Sequence, residues 1–182
     1  MMARRYDPDR RQRIVDAAIS VVSERGIDGL SHRSVAAAAD VPLGSTTYHF
    51  ATLDDLLIAA LQQVNSGPTT SVASWERHLD PAEPLVDGLV RLLEHCVATT
   101  GDRSRVRLEY DLYLAALRRE RLQPIAAAWL DEMVEMFTRY TKDEATARTL
   151  VALIDGLLLQ LLLTGRPFDR EQVRATLSRV IG

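Results

Sequence analysis

The length and composition of this chain are those of an ordinary globular protein. Its 182 residues, 47% hydrophobic and 26% charged, can bury a sizeable core, which excludes a disordered or fibrous chain. The net charge of −3 does not by itself favour a nucleic-acid binder, and the single cysteine excludes an intramolecular disulfide. The first 50 residues nevertheless carry about +1 and the rest about −4. This basic start suits an anionic partner, although a solvated charged terminus is equally common.

The cellular compartment and the need for a metal or cofactor are predicted from two patterns that the sequence does not show. No charged segment followed by an apolar stretch begins the chain, so we expect a cytoplasmic protein. The most apolar run, residues 150–163, is interrupted by Asp155 and Gln160, which favours a buried core helix over a membrane span. No Cys/His cluster has the spacing of a metal site, so we expect neither a metal nor a cofactor.

The first 40 residues predict one long helix and one short helix. Asp7 and Pro8 are an N-cap and a first-turn proline, and apolar residues then recur at helical spacing until Gly26. Ser31 is a good N-cap for a second, short helix that breaks at Asp40.

The remaining sequence also predicts helices and no strand. A very short third helix extends from about Leu43 to His49, and Thr52 with Asp55 forms a capping box that opens a fourth. The segment "NSGPTT" is the clearest break in the chain. Further helices are predicted over Ser71–Leu79, Pro84–Thr100, Asp102–Arg121, Pro124–Thr141, Asp143–Thr164 and Asp169–Val180. The prediction is an all-α fold in two parts.

The second and third helices match the plan of a helix-turn-helix. Asp40 lies where the turn needs a left-handed residue, a conformation that Asp tolerates better than most side chains. The third helix is predicted to expose Gly44, Ser45, Thr47 and Tyr48. Glycine permits close approach of the backbone, and the hydroxyls can bond to base edges or phosphates. The alternative is a helical corner whose hydroxyls bond to their own backbone.

The candidate DNA-contacting residues extend beyond this third helix. Tyr48 and His49 can each donate to a phosphate oxygen, and Arg33 adds charge where the second helix would cross the DNA backbone. The complete predicted set is Arg4, Arg5, Ser31, His32, Arg33, Leu43, Gly44, Ser45, Thr46, Thr47, Tyr48 and His49.

Residues 10–61 resemble the DNA-binding domain of the TetR family of transcriptional repressors. The resemblance is carried by "IVDAAISVVSERGIDGLSHRSVAAAADVPLGSTTYHFATLDDLL". The matching positions are Ile14, Ala17, Ala18, Gly26, Ser31, Arg33, Val35, Ala36, Val41, Gly44, Ser45, Tyr48, Phe50, Asp55 and Leu56. Members usually carry a lysine at the start of the fourth helix, where this chain has Leu53. Phosphate contact would then depend more on the N-terminal arginines, Arg33, Tyr48 and His49.

The resemblance implies that the C-terminal helices form a homodimer. Residues 150–163 are apolar nearly all round, and the helix that follows carries an apolar stripe, so pairing with a second copy would bury the excess. The predicted interface residues are Leu150, Ile154, Leu158, Leu161, Val173 and Leu177. The alternative is a monomer with a deeply buried central helix.

The resemblance also implies a pocket for a small-molecule effector among the middle helices. Apolar walls with a few polar groups describe such a site, although residues of this kind more often pack a core. The candidate ligand residues are Trp75, Arg91, His95, Tyr110, Tyr113, Trp129 and Met133.

These observations favour a cytoplasmic, bacterial, ligand-responsive regulator of transcription. Residues 1–52 would bind DNA, and residues 53–182 would bind the ligand and dimerise. A repressor of this kind binds a palindromic operator as a dimer and leaves it when an effector moves the fourth helix. An all-helical enzyme and a protein-binding adaptor remain as alternatives, although no catalytic constellation or phosphate loop is evident.

Overall fold

The computed structural model describes residues 8–68, 70–98 and 100–182, apart from the side chains of Thr100 and Asp102. Within these ranges the backbone forms ten α-helices and no strand, which confirms the all-α prediction. The helices are α1 (Arg10–Arg25), α2 (His32–Ala38), α3 (Leu43–His49), α4 (Leu53–Asn65), α5 (Val72–Glu76), α6 (Leu85–Val97), α7 (Thr100–Ala115), α8 (Gln123–Thr138), α9 (Glu144–Thr164) and α10 (Arg170–Ile181). Short 3₁₀ turns cover Ile27–Gly29 and Glu120–Leu122.

The chain divides into two compact units that differ from the predicted boundary at residue 52. The first unit runs to Gln63 and also contains Leu108–Gln123, and the second consists of Val64–Arg107 and Pro124–Gly182. Most of α4 therefore belongs with α1. The Gln63 side chain explains this, since its Oε1 accepts from Gln12 Nε2 at 2.6 Å and its Nε2 donates to Asp16 Oδ1 at 2.7 Å.

In the first unit the local signals place α2 and α3 as predicted. Helix α1 ends at Gly26, which has a φ of 69°. Glycine adopts positive φ values without the steric cost that other residues incur. The Ser31 hydroxyl accepts from Ser34 N at 3.0 Å, and Ser31 N donates to Ser34 Oγ at 2.9 Å, which closes a capping box at the start of α2. Asp40 has φ 51°, which confirms the predicted left-handed turn between α2 and α3.

In the second unit α10 packs against α6 and α9. Asp143 and Asp169 cap the starts of α9 and α10 by accepting from the backbone N–H groups of Thr146 and Gln172. Gly165 ends α9 in the left-handed conformation with φ 63°. By length and composition alone α9 could cross a membrane, but a core helix of a soluble protein has the same pattern.

The predicted dimer stripe lies mainly in the interior of the single chain. The side chains buried within it are Leu150, Ile154, Leu158, Val173 and Leu177, whereas Leu161 is half-buried. The prediction that this stripe faces a partner is therefore wrong for the five buried residues. The physical reason is that α6, α9 and α10 bury one another's apolar faces within one subunit, which periodicity cannot distinguish from burial between subunits.

Candidate nucleic-acid interface and C-terminal surfaces

The short helix α3 presents one exposed face. Tyr48 is 84% exposed, Leu43, Gly44 and Thr47 are also exposed, and His49 is half-buried. A Cβ atom at Gly44 would meet no atom within 4 Å, so the backbone is open to close approach by a partner. The His49 ring lies edge-on to Tyr48, with centroids 5.1 Å apart. This face combines an exposed hydroxyl, a phenol and accessible backbone, which suits contact with a DNA groove.

Ser45 and Thr46 point away from that face. Ser45 is 5% exposed and Thr46 is fully buried, with its hydroxyl donating to Leu43 O at 2.8 Å. The prediction that Ser45 lies on the exposed face is wrong, and the burial of Thr46 does not support its predicted contact with DNA. Helix α3 packs against α1 and α2, so part of each helical turn faces the interior of the first unit. Ser45 and Thr46 lie on this inward side of α3.

The other predicted DNA contacts have different surroundings. The exposed Arg33 guanidinium has no hydrogen-bond or ion-pair partner within the described ranges, so it is available to a phosphate. The Ser31 hydroxyl caps α2, and His32 is half-buried with a buried Nδ1 that finds no partner in the described part of the chain. Arg4 and Arg5 lie outside the described residues.

The predicted ligand residues are divided between the two units. Tyr110 and Tyr113 belong to the first unit and are half-buried. In the second unit Trp75 and Met133 are buried and Trp129 is half-buried. Two of the residues are polar and exposed. Arg91 pairs with Glu83 at 2.6 Å, and the His95 ring lies 5.3 Å from that of His78.

An open cavity of about 580 Å³ lies in the second unit, on α8 and the start of α9. Its lining residues are Asp131, Val134, Glu135, Thr138, Arg139, Glu144 and Arg148. None of these residues is in the predicted ligand set. Their side chains are mostly exposed and charged, so periodicity and apolar patterning gave no signal for the cavity. Among the described residues, no group of three or more His, Cys, Asp or Glu side chains is placed to hold a metal ion.

A polar contact between three side chains joins the end of α5 to the two residues that follow α8. Arg139 Nη2 donates to Glu76 Oε1 at 2.7 Å, and the Tyr140 hydroxyl donates to the same oxygen at 3.2 Å. The bond from Arg139 is the main reason that the pKa of Glu76 is lowered, against the opposing effect of burial. Burial, followed by the bond to Glu76, raises the pKa of Tyr140.

We expect this contact to contribute to acid sensitivity. Because the folded-state pKa of Glu76 lies below the ordinary value of 4.5, its stabilisation is present above that pH and is lost as pH falls through the folded-state pKa. Urea unfolding measured from pH 7 down to pH ~3 should show declining stability, with a shallower decline in Glu76→Gln. An equal decline in Glu76→Gln and the wild type would assign the acid sensitivity to other groups.

The outer face of α9 carries small and apolar residues and one glutamine. Ala152, Gln160 and Leu163 are exposed and Gly156 is half-buried, and helical spacing puts these positions on one side of α9. A Cβ atom at Gly156 would meet nothing within 4 Å, so space beside the helix is open in the single chain.

Comparison with known proteins identifies the family. Residues 14–60 match the profile described as "Bacterial regulatory proteins, tetR family", and residues 80–182 match "Tetracyclin repressor-like, C-terminal domain". The structure of the multidrug binding protein EbrR complexed with ethidium is 55% identical, covers 97% of this chain and 100% of its own, and superposes with a TM-score of 0.85. A TetR-family member from Streptomyces coelicolor A3 is 54% identical over 96% of this chain and 99% of its own, with a TM-score of 0.83.

A curated relative agrees with this result. The HTH-type transcriptional regulator PksA of Bacillus subtilis (strain 168) is 26% identical and covers 91% of this chain and 84% of its own length. The relatives are named as regulators of transcription, so the helix-turn-helix of this chain serves regulation and not catalysis. The chain belongs to the TetR family of bacterial transcriptional regulators.

Proposed function

We propose that the protein is a dimeric repressor that binds a palindromic operator and is released by a small-molecule effector. The observation that carries the DNA-binding part is the exposed α3 face, with Gly44, Thr47 and Tyr48, together with the exposed guanidinium of Arg33 on α2. Thr47 and the open backbone at Gly44 are the proposed base-reading elements, and Tyr48 and Arg33 the proposed phosphate contacts. Arg4 and Arg5 remain proposed phosphate contacts of the N-terminal arm.

The proposed dimer forms through the outer face of α9, with Ala152, Gly156 and Leu163, instead of the stripe predicted from sequence. The opposite side of α9 is already buried within the subunit, so this outer side is the one available to a partner. Small side chains and the open space at Gly156 permit two helices to approach closely. A second copy is the proposed occupant because two copies of α3 must reach half-sites about one turn of DNA apart.

The proposed effectors are planar aromatic cations. Ethidium, which occupies the EbrR complex, belongs to this class, and EbrR is 55% identical to this chain. The second unit supplies suitable chemistry in Trp75, Trp129 and Met133, since aromatic faces attract cations and methionine adapts to varied shapes. Negative charge dominates the sequence beyond residue 50, which also favours a cationic ligand.

Ethidium titration tests the effector proposal. An operator would first be selected from a random DNA library with the wild-type protein and end-labelled, so that its anisotropy reports release. Ethidium should quench tryptophan fluorescence in the absence of DNA and should then lower operator affinity in a saturable way. Because ethidium also intercalates, ligand binding is measured without DNA, and release is repeated with an unrelated DNA-binding protein on that protein's own binding site.

An anionic dye of similar size, fluorescein, is the matched control for charge. Fluorescein should neither quench nor release at the concentrations at which ethidium does both. Equal binding of the two dyes would contradict the cationic class, and quenching without any release would contradict the repressor mechanism.

A further inference from the structure

The start of α4 is held by two arginines that lie about 65 residues further along the chain. Arg119 Nη1 lies 2.5 Å from Asp54 Oδ1, and Arg121 Nη2 lies 2.7 Å from Asp55 Oδ1. Arg121 Nη1 also donates to the Thr52 hydroxyl at 3.0 Å. These five residues, which we call the α4 clamp, all belong to the first unit.

The clamp acts on the cap of α4 itself. Thr52 N donates to Asp55 Oδ2 at 2.9 Å, and Asp55 N donates to Thr52 Oγ1 at 3.1 Å, so the two residues form a reciprocal capping box. Arg121 bonds to both members of this box. The bonds from Thr52 and then Arg121 lower the pKa of Asp55, which keeps its carboxylate charged at neutral pH.

The arginines project from a firmly anchored segment. Leu112 and Leu122, which lie on either side of Arg119 in the sequence, are fully buried. Arg119 and Asp54 are themselves shielded, with side-chain exposures of 34% and 25%. Charged pairs that are partly withdrawn from water and fixed in position are screened less than freely moving surface pairs. The clamp can therefore restrain the first turn of α4.

That turn adjoins the helix proposed to read DNA. Only Phe50 and Ala51 separate the end of α3 at His49 from the α4 cap at Thr52. Phe50 is buried, so this connection has little freedom to absorb a displacement. A shift of the α4 cap would move the end of α3.

We propose that Arg119 and Arg121 are positioning residues for operator binding. They fix the position of α3 through the cap of α4, and they are not part of the DNA-facing surface of α3. The two arginines thus act on the DNA-reading helix from a segment that the sequence places far outside the helix-turn-helix. This inference rests on the operator binding of the proposed function. It does not require the effector proposal.

The test compares Arg119→Gln/Arg121→Gln with Arg118→Gln on the selected operator and on random DNA. Arg118 is exposed, adjacent in sequence and without an ion-pair partner in the described part of the chain, so its variant controls for the removal of positive charge. The clamp variant should bind the operator about three- to tenfold more weakly. Random-DNA affinity should change little, and Arg118→Gln should resemble the wild type on both DNAs.

A charge exchange separates positioning from a general loss of structure. In Asp54→Arg the repulsion from Arg119 should weaken operator binding, and adding Arg119→Asp should restore much of it. The folded fraction of every variant is measured by circular dichroism at the assay temperature, and affinities are corrected for it. A loss that vanishes on this correction, or an exchange variant that recovers nothing, would overturn the proposal.

Salt dependence distinguishes positioning from direct DNA binding. If the arginines bound phosphates directly, their removal would reduce the slope of log K against log salt by about 0.9 for each phosphate left without its arginine, on both DNAs. The proposal predicts an unchanged slope on random DNA, and a reduced slope there would overturn it. Absence of operator selection by the wild-type protein would instead be a failure of the proposed function and is measured first.

Discussion

Gly156→Arg is expected to convert the protein into a folded monomer with at least ~100-fold weaker operator binding, because the two half-sites would no longer be bound together. A Cβ atom at this position would meet nothing within 4 Å in the single chain, and replacing a helical glycine favours the helix by about 1 kcal/mol. The subunit should therefore fold normally. An arginine on the proposed dimer face, in contrast, would place two buried charges across the two-fold axis.

Light scattering gives the mass, circular dichroism gives the fold, and anisotropy gives the operator affinity of this variant. Ala127→Arg is the matched control, since it adds the same side chain at an exposed small residue on α8. It should remain dimeric and bind the operator normally. A dimeric Gly156→Arg protein with wild-type affinity would show that the outer face of α9 is not the interface.

Thr47→Ala is expected to weaken operator binding by about 1–3 kcal/mol in a base-dependent manner. The Thr47 side chain is exposed on α3, where its hydroxyl can bond to a base edge and its methyl can contact a thymine. Affinity for random DNA should change little. Anisotropy on a panel of single-base operator variants measures the effect, which should be concentrated at one or two positions in each half-site.

Thr46→Val is the neighbouring control for this prediction. Thr46 is fully buried and donates to Leu43 O, so losing its hydroxyl should lower the free energy of unfolding by about 1 kcal/mol without changing base preference. Altered base preference in Thr46→Val, or a uniform loss on every DNA in Thr47→Ala, would contradict the assignment of the α3 surface.

The helix-turn-helix was predictable because its signals are local. Gly26, Ser31 and Asp40 impose backbone conformations or caps through their own chemistry, and the structure has a boundary or turn at each of them. The direction of the α3 side chains was less accessible. The seven residues of α3 contain no hydrophobic stripe that would orient the helix, so the sequence does not distinguish the buried Ser45 and Thr46 from the exposed Thr47.

The sequence alone determined the all-α class, the position of the helix-turn-helix and the family. Helical periodicity, caps and motif spacing each depend on residues that are close together in the sequence, so they can be recognised without the tertiary structure. Only the tertiary structure decided which side of α9 remains uncovered, since an apolar residue has the same pattern whether its partner is its own subunit or another. Tertiary structure also brought Arg119 and Arg121 to the cap of α4. Contacts between charged side chains 65 residues apart leave no periodic signal, because they depend on how the intervening helices pack.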